Sequence, residues 1–342
     1  MPHYAGLDVS KRFTSICIVD ADGAVVEEAV VPTEPKDIVG ALRGKRRRYG
    51  GIGLEAGTIP TWLHESLVKA RLPAVLMETR HTHRVLAARL NKTDKNDARG
   101  IAELIRTRAF RPVHQKSEAS RRLRTLLTAR KLLIGKQIDI ERCIRDLLML
   151  HGRRLEGHRK SLHYEQRVRR LLGRDQNLTA VIDPLLATHA VMRAQTESLT
   201  RRATELANDD PICRRLMTAP CVGPLTALEF RAVVDDPSRF NSSRSVGAHL
   251  GLTPRTFQSG EEDWSGRISR RGDAAARVAL FNAARGVLFR MKKPSTIRTW
   301  GLALADRKGS KKATIAVARR LAVTLHSMWK SETDYQWEPL NA

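Results

Sequence analysis

Short apolar runs alternate with polar positions at the start of the chain and give way further on to long runs with helical spacing. Tyr4–Val9 and Phe13–Val19 read as strands, and Ala21-Asp22-Gly23 supplies a turn before a third run at Val25–Val31. Together they predict an antiparallel meander. The pattern continues with a helix over Pro35–Arg46, a strand at Gly51–Glu55, a helix over Thr61–Ala70, a strand at Ala74–Met77 and a helix beginning near Asp94.

The middle of the chain is heptad-patterned. Leu126, Leu133, Ile140 and Leu147 recur at every seventh position beside a half-polar series, Leu123, Arg130, Gln137 and Ile144. Leu171, Leu178, Leu185, Met192, Leu199 and Leu206 repeat the spacing. This predicts an antiparallel helical hairpin or coiled coil, with a plain helical bundle as the alternative. Polar seam residues would fix register or oligomer state. Pro184 predicts a kink or a late helix start. Past Asp209-Asp210-Pro211, the turn Pro220-Cys221-Val222-Gly223-Pro224 lies between two apolar helical stretches. A glycine turn feeding a helix N-terminus aims backbone N–H groups at a phosphate, as in helix-hairpin-helix modules, although a simple helix–helix turn also fits. A Ser/Gly/Arg-rich stretch, Ser238–Asp273, precedes helices at Ala274–Arg290 and Lys311–Lys330. The N-terminal order β-β-β-α-β-α-β-α is the ribonuclease H-like arrangement, so the expected class is α/β followed by an all-α remainder.

Charge narrows the function. The 342 residues carry 61 Lys+Arg against 36 Asp+Glu, a formal net charge of +25. Such a surface repels itself unless a polyanion neutralises it, and nucleic acid does so with release of counterions. The cations run through all regions and form no single amphipathic stripe, which disfavours a membrane-surface role. No stretch approaches the apolar length of a membrane span, and Met1-Pro2-His3-Tyr4 opens no signal-peptide pattern. Cys17, Cys143, Cys213 and Cys221 form no CxxC pair. They argue against a disulfide framework or zinc knuckle, fit a reducing cytoplasm, and read as small core residues.

In so basic a chain, carboxylates at strand ends stand out. Asp8 closes the first strand and Glu55 the fourth, while Asp94 and Asp97 project from one face of a helix that starts in Lys92-Thr93-Asp94-Lys95-Asn96-Asp97-Ala98-Arg99. In a ribonuclease H-like sheet, strands one and four end side by side with the final helix across them. Four carboxylates gathered there would repel one another unless cations lay between. Two Mg²⁺ ions, or Mn²⁺ in their place, would relieve the repulsion, one activating the attacking oxygen and the other stabilising the leaving oxygen of an in-line phosphodiester displacement. Taken singly, Asp8 and Asp97 also suit helix or turn caps, and Glu55 a surface acid. Gly51-Ile52-Gly53-Leu54-Glu55-Ala56-Gly57 superficially matches a dinucleotide loop, but it forms the strand and does not follow it. Gly6-Leu7-Asp8-Val9-Ser10 also suggests an actin-like sugar kinase, yet Ser10-Lys11-Arg12 replaces the glycine-rich phosphate loop. His81 and His83, set between Arg80 and Arg84, read as a phosphate-contacting loop and not as a metal pair.

Gly6-Leu7-Asp8-Val9-Ser10-Lys11, Leu54-Glu55-Ala56-Gly57 and Lys92-Thr93-Asp94-Lys95-Asn96-Asp97-Ala98 resemble the DEDD transposases of one large prokaryotic insertion-sequence family. The later segments agree in order: Pro220-Cys221-Val222-Gly223-Pro224, Leu250-Gly251-Leu252-Thr253-Pro254-Arg255, Ser259-Gly260, and Gly266-Arg267-Ile268-Ser269-Arg270-Arg271-Gly272-Asp273. Cys221 stands where a glycine is common, and Gln258-Ser259-Gly260-Glu261 replaces the more usual Ser-Ser-Gly-Gly. The resemblance implies a RuvC-like DEDD domain over 1–114, a coiled-coil helical region over 115–208, and a mainly α transposase domain with the helix-hairpin-helix-like turn over 209–342. It further implies a recombinase guided by a bridge RNA that pairs with target and donor DNA, and a serine that forms a covalent phosphoserine beside the acidic site of a partner subunit. By position that serine is Ser259, with Ser265 and Ser243 as the other candidates.

These readings converge on a Mg²⁺-dependent DNA transposase or recombinase acting as a homo-oligomer, dimer or tetramer, in the cytoplasm at the nucleoid. Nucleic-acid contacts fall to Lys11, Arg80, Arg84, Lys92, Arg255, Arg267, Arg270 and Arg271, and to the backbone at Gly223. The alternatives are a RuvC-like structure-selective endonuclease that uses water, and a non-catalytic basic nucleic-acid-binding protein.

Overall fold

Alternation along the first strand, β1 (His3–Val9), turns Ala5, Leu7 and Val9 to one side and Tyr4, Gly6 and Asp8 to the other. In the computed structural model, which describes residues 1–44, 47–87, 93–156, 163–260 and 262–337, these two sides face different helices. The chain divides into two compact units, Met1–Gln115 and Lys116–Ala342.

In the first unit, β1 is followed by β2 (Phe13–Val19), β3 (Val25–Pro32), α1 (Pro35–Arg43), β4 (Tyr49–Glu55), α2 (Thr58–Lys69), β5 (Ala74–Met77), α3 (Thr79–Leu86) and α4 (Asp94–Arg106). The sheet order is β3-β2-β1-β4-β5, with β1–β3 antiparallel and β1, β4 and β5 parallel. The turn into β3 forms because the Asp20 carboxylate accepts the Asp22 and Ala24 amides while Gly23 sits at φ +92°. Helix α1 ends at Arg43, and Arg46, its expected end, lies outside the described residues. On one face Ala5, Leu7, Ile52 and Leu54 pack with Ile38, Leu42, Leu63 and Leu67 of α1 and α2.

Helix α4 takes the other face. A Cβ on Gly6 would lie 2.1 Å from the Ala98 carbonyl oxygen and 2.3 Å from the Ala102 nitrogen, so backbone meets backbone. Gly51 and Gly53 extend this floor, leaving room for Ile105 and Ile101. The glycines that imitate a dinucleotide loop are therefore the seat of α4. Gly6→Ala is expected to destabilise this unit by about 3 kcal/mol, the upper part of the range for overpacking, because neither opposing backbone can yield. Urea unfolding checks this; a midpoint equal to that of the unaltered protein would mean that α4 does not close on β1 through this glycine.

The second unit comprises α5 (Glu118–Leu150), α6 (Tyr164–Leu172), α7 (Gln176–Asp209), α8 (Pro211–Met217), α9 (Pro224–Val234), α10 (Ser243–His249), the strands β6 (Pro254–Ser259) and β7 (Glu262–Ile268), and α11 (Ala274–Phe289), α12 (Thr296–Lys308) and α13 (Ser310–Ser331). Side chains of Ser117, Asp175, Asp210, Ser242, Asp273 and Ser295 accept amides of the following turn, which fixes where six of these helices begin. Helices α5 and α7 run antiparallel. Arg130 Nε donates to Thr200 Oγ1 at 2.7 Å, Gln137 Nε2 to Thr196 Oγ1 at 2.8 Å, and His189 Nε2 lies 3.1 Å from Glu141 Oε1. The seam is thus held by polar pairs that match in only one register.

Its phase differs by one residue from the leucine series. Ser120, Leu127, Glu141 and Leu148 are buried, whereas Leu126, Leu133, Ile140 and Leu147 are only half-buried. Helix α7 runs through the exposed Pro184 from its start at Gln176, so the late start does not occur. The main core joins Phe230 and Val233 of α9, Leu280 and Val287 of α11, and Val317, Leu321 and Leu325 of α13. Further departures from the sequence reading lie in this unit: α12 is an additional helix, and the Ser/Gly/Arg-rich stretch holds a β-ribbon. All four cysteines are free; Cys17 and Cys213 are core residues as expected, but Cys143 and Cys221 are exposed.

Candidate active site

The register that seats α4 also sets the acids. Gly6 pairs with Gly53 and Leu7 with Leu54 across the parallel β1–β4 ladder, so Asp8 and Glu55 emerge one step later at adjacent strand ends, both on the α4 face. Helix α4 starts there. Thr93 is its N-cap, its hydroxyl accepting the Asn96 amide at 3.2 Å, which leaves Asp94 and Asp97 in the first turn. Negative charge is favoured at that end of a helix. Asp8, Glu55, Asp94 and Asp97 line one cavity of about 460 Å³ with Ser10, His83, Leu86, Ala87 and Ile101.

All four predicted acids are therefore brought together, and among the described residues that line the cavity there is no Lys or Arg. The donor set, four carboxylates, suits a hard divalent cation. The arrangement is open: among the described residues no three His, Cys, Asp or Glu side chains converge closely enough to hold an ion. Asp94 is exposed and the other three are half-buried.

Two cations adjacent to the acids in sequence are engaged by Glu28 of β3. Lys95 Nζ lies 2.6 Å from Glu28 Oε2, and Arg99 donates to both oxygens of the same carboxylate, Nη2 at 3.0 Å. Hydrogen bonds from Arg99 and then Lys95 hold the Glu28 carboxyl down at about 2. Nothing in the sequence pattern singled out Glu28. It is found only through the sheet, in the row Glu28–Cys17–Gly6 beneath the helix.

Of the residues expected to meet nucleic acid, Lys11 is exposed and borders the acids, sharing a second cavity with Ser10, Arg12, Asp94 and Lys95. Arg80 and Arg84 are exposed one turn apart on α3, a helix where a loop was expected. His83 reaches the acid cavity, whereas His81 Nε2 contacts the Ala109 carbonyl at 3.1 Å, so the two histidines do different work. Lys92 lies outside the described residues. In the second unit, Gly223 is the half-buried N-cap of α9, in a turn where Cys221 takes φ +58°. Glycine reaches that conformation without strain, so Cys221 replaces it at a conformational cost.

Arg255 and Arg267 are exposed on the β6–β7 ribbon, and Arg270 and Arg271 at its base. The base is interlocked: a Cβ on Gly251 would lie 2.0 Å from the Arg271 carbonyl oxygen, and one on Gly272 would lie 2.0 Å from that of His249. Asp273 then caps α11 and pairs with Arg124 at 2.9 Å. Burial alone would raise this carboxyl, but the Ala276 amide and Arg124 hold it below the ordinary range.

The three candidate serines differ in setting. Ser259 ends β6 at the exposed tip, opposite Glu262. Ser265 pairs with Thr256 on the other face. Ser243 Oγ lies 2.9 Å from His326 Nδ1, and His326 Nε2 lies 3.0 Å from the Pro237 carbonyl. A carbonyl only accepts, so Nε2 carries the proton and Nδ1 accepts from the Ser243 hydroxyl. His326 is buried, its pKa lowered by that burial, and it braces α10 against α13.

Comparison with known proteins agrees with this layout. A family model described as a DEDD transposase of IS110 type matches residues 5–152, and one described as "Transposase IS116/IS110/IS902 family" matches residues 213–300. The chain belongs to the IS110/IS116 family of insertion-sequence transposases. It is 28% identical over 340 residues to the transposase for insertion sequence element IS1111A of Coxiella burnetii, covering 97% of this chain and 90% of that protein. It is also 24% identical over 273 residues to a probable family 20 transposase of Pseudomonas aeruginosa, covering 76% and 81%. The first match of this transposase takes in all five strands of the sheet from within β1 and runs on through α5, while the second contains the β-ribbon and its interlocked glycines. No helix among the described residues is long and apolar enough to cross a membrane.

Proposed function

We propose that this transposase cuts and rejoins DNA through its acid cavity and Ser259, as a homo-oligomer guided by a bridge RNA. The observation that carries the reading is the gathering of Asp8, Glu55, Asp94 and Asp97, in chain order D-E-D-D, around one cavity in a protein of net charge +25. Carboxylates so placed in a phosphate-binding protein need a purpose, because each repels the substrate. Two divalent cations held by these acids would polarise the scissile phosphate and stabilise charge on the attacking and leaving oxygens. The protein's own groups do the rest. Thr93 and the glycine floor fix the start of α4, and with it Asp97, beside the end of β1, and Glu28 engages Lys95 and Arg99. Lys11, Arg80 and Arg84 offer exposed cations for the phosphate backbone beside the cavity.

At the ribbon, the Ser259 oxygen forms a bond to phosphorus as a bond from phosphorus to a sugar oxygen breaks. The serine proton passes to a base, for which Glu262, the carboxylate across the ribbon, is placed. The departing sugar oxygen takes a proton from solvent. Reversing the step on a new sugar hydroxyl releases the serine and completes exchange. The guide RNA rests on the family resemblance and on the excess of cations.

Strand exchange between donor and target DNA, assayed with purified protein and its co-purifying RNA, tests the reading. Activity is expected with Mg²⁺ or Mn²⁺ and none in excess chelator; equal activity in chelator would remove the cation scheme. Affinity for DNA should fall about a thousandfold or more between ~50 and ~200 mM salt if several phosphates are contacted. A flat dependence would remove the electrostatic argument, and a preparation that retains no RNA yet exchanges strands would remove the guide.

A further inference from the structure

The β6–β7 ribbon carries a feature that strand exchange as proposed does not yet use. Phe257 and Trp264 are cross-strand partners whose ring centroids lie 5.8 Å apart at an interplanar angle of 25°. They remain 46% and 54% exposed, which is unusual for two large apolar rings on one small surface. Gly266, two residues along the same face, makes room for the indole: a Cβ there would lie 2.8 Å from the Trp264 ring. Cross-strand partners share a face, as do alternate residues along a strand. Ser259 and Glu262 therefore lie on the Phe257–Trp264 face, while Gln258, Asp263, Thr256 and Ser265 lie on the other.

We infer that this ring pair is a stacking platform for an unpaired base of the DNA strand being cut, placed to set a phosphate two nucleotides along against Ser259. The inference rests on the reading of Ser259 as the nucleophile. Two residues of strand separate Phe257 from Ser259, roughly 7 Å, close to two nucleotide rises of ~3.4 Å each. An aromatic face accepts any base, while the exposed Arg255 and Arg267 on the same ribbon suit the phosphates. A hydroxyl on an exposed turn has no wall to orient its target. A base fixed on the neighbouring rings supplies that orientation from the substrate side. Trp264 is thus a positioning residue, and Gly266 is the position that lets its ring lie along the ribbon.

The first test needs no variant. A short single-stranded DNA and the same strand carrying an abasic position near the cut have nearly the same phosphates, so their affinity ratio at one salt concentration reads base stacking alone. The unaltered protein with its RNA should prefer the base-bearing strand by about ten- to a hundredfold. Trp264→Leu, which keeps an apolar strand residue, should lose that preference, and Trp264→Tyr, which keeps a ring, should recover most of it. Serine–DNA adduct formation should fall in parallel, with the abasic strand reducing it for the unaltered protein but hardly further for Trp264→Leu. Equal affinity for the two strands would overturn the platform, as would a preference that survives Trp264→Leu. Stronger stacking of an RNA strand of the same sequence would overturn the assignment to the cut strand. The binding ratio does not depend on Ser259: no adduct with the preference intact would count against the nucleophile and leave the platform standing.

Discussion

Asp8→Asn, Glu55→Gln and Asp97→Asn are each expected to abolish strand exchange while leaving DNA affinity at least as strong as before. The substitutions keep shape and remove one negative charge. If the cavity acts by holding divalent cations, losing one carboxylate weakens that hold and with it several kcal/mol of stabilisation of the charge that builds at phosphorus, about a thousandfold or more in rate. Removing an acid from a protein of net charge +25 cannot weaken its attraction for a polyanion. Activity and affinity should therefore move apart, which misfolding would not produce. Asp97 also benefits the N-terminal turn of α4, but that effect is only about 0.3–1 kcal/mol and should not unfold the unit. Asp94, exposed at the first position of α4, should cost less when changed to Asn. Gel assays of strand exchange beside DNA titrations decide the matter. Near-normal exchange by any of the three variants would make that acid structural.

Much of this site could be read from the chain because the first unit obeys simple periods. Two-residue alternation gives the strands, Asp-Gly chemistry gives the turn, and an acid at the end of β1 and of β4 needs only the sheet order to become a neighbour. The second unit is less legible for identifiable reasons. Its hairpin seam contains the half-polar series, with Arg130 and Gln137 paired across it and Ile144 buried, but the companion row includes Ser120 and Glu141, so hydrophobicity selects the flanking leucines and shifts that row by one residue. The β-ribbon carries Gln258, Glu262, Asp263 and Arg267 and no buried strand residue, so it lacks the half-buried alternation by which strands are recognised. Its aromatic pair and the turn glycine, Gly260 at φ +58°, were the available signals. Glu28 could not be found without the fold, because its partners lie far away in sequence, on α4.

Ser259→Ala is expected to abolish both the covalent DNA adduct and the recombinant product while folding and RNA binding persist. Alanine keeps nearly the same volume at an exposed ribbon tip, so the unit has no reason to unfold, yet it offers no oxygen to form the bond to phosphorus. A nuclease that used water at the same acid cavity would cleave without any adduct and would tolerate the change. The contrast is sharpest against Ser243, whose hydroxyl already donates to a buried histidine. On proton acceptance alone Ser243 would be the better nucleophile, but it is half-buried and its histidine is committed to bracing two helices. Ser259 has the accessible position and the ring platform; Ser265 points from the opposite face of the ribbon. Trapping the adduct on a nicked substrate and sequencing the modified peptide separates the three. An adduct on Ser259 confirms the ribbon tip as the reacting surface. One on Ser243 would move the chemistry to the α10–α13 junction, and an active preparation that forms none would remove the serine intermediate altogether.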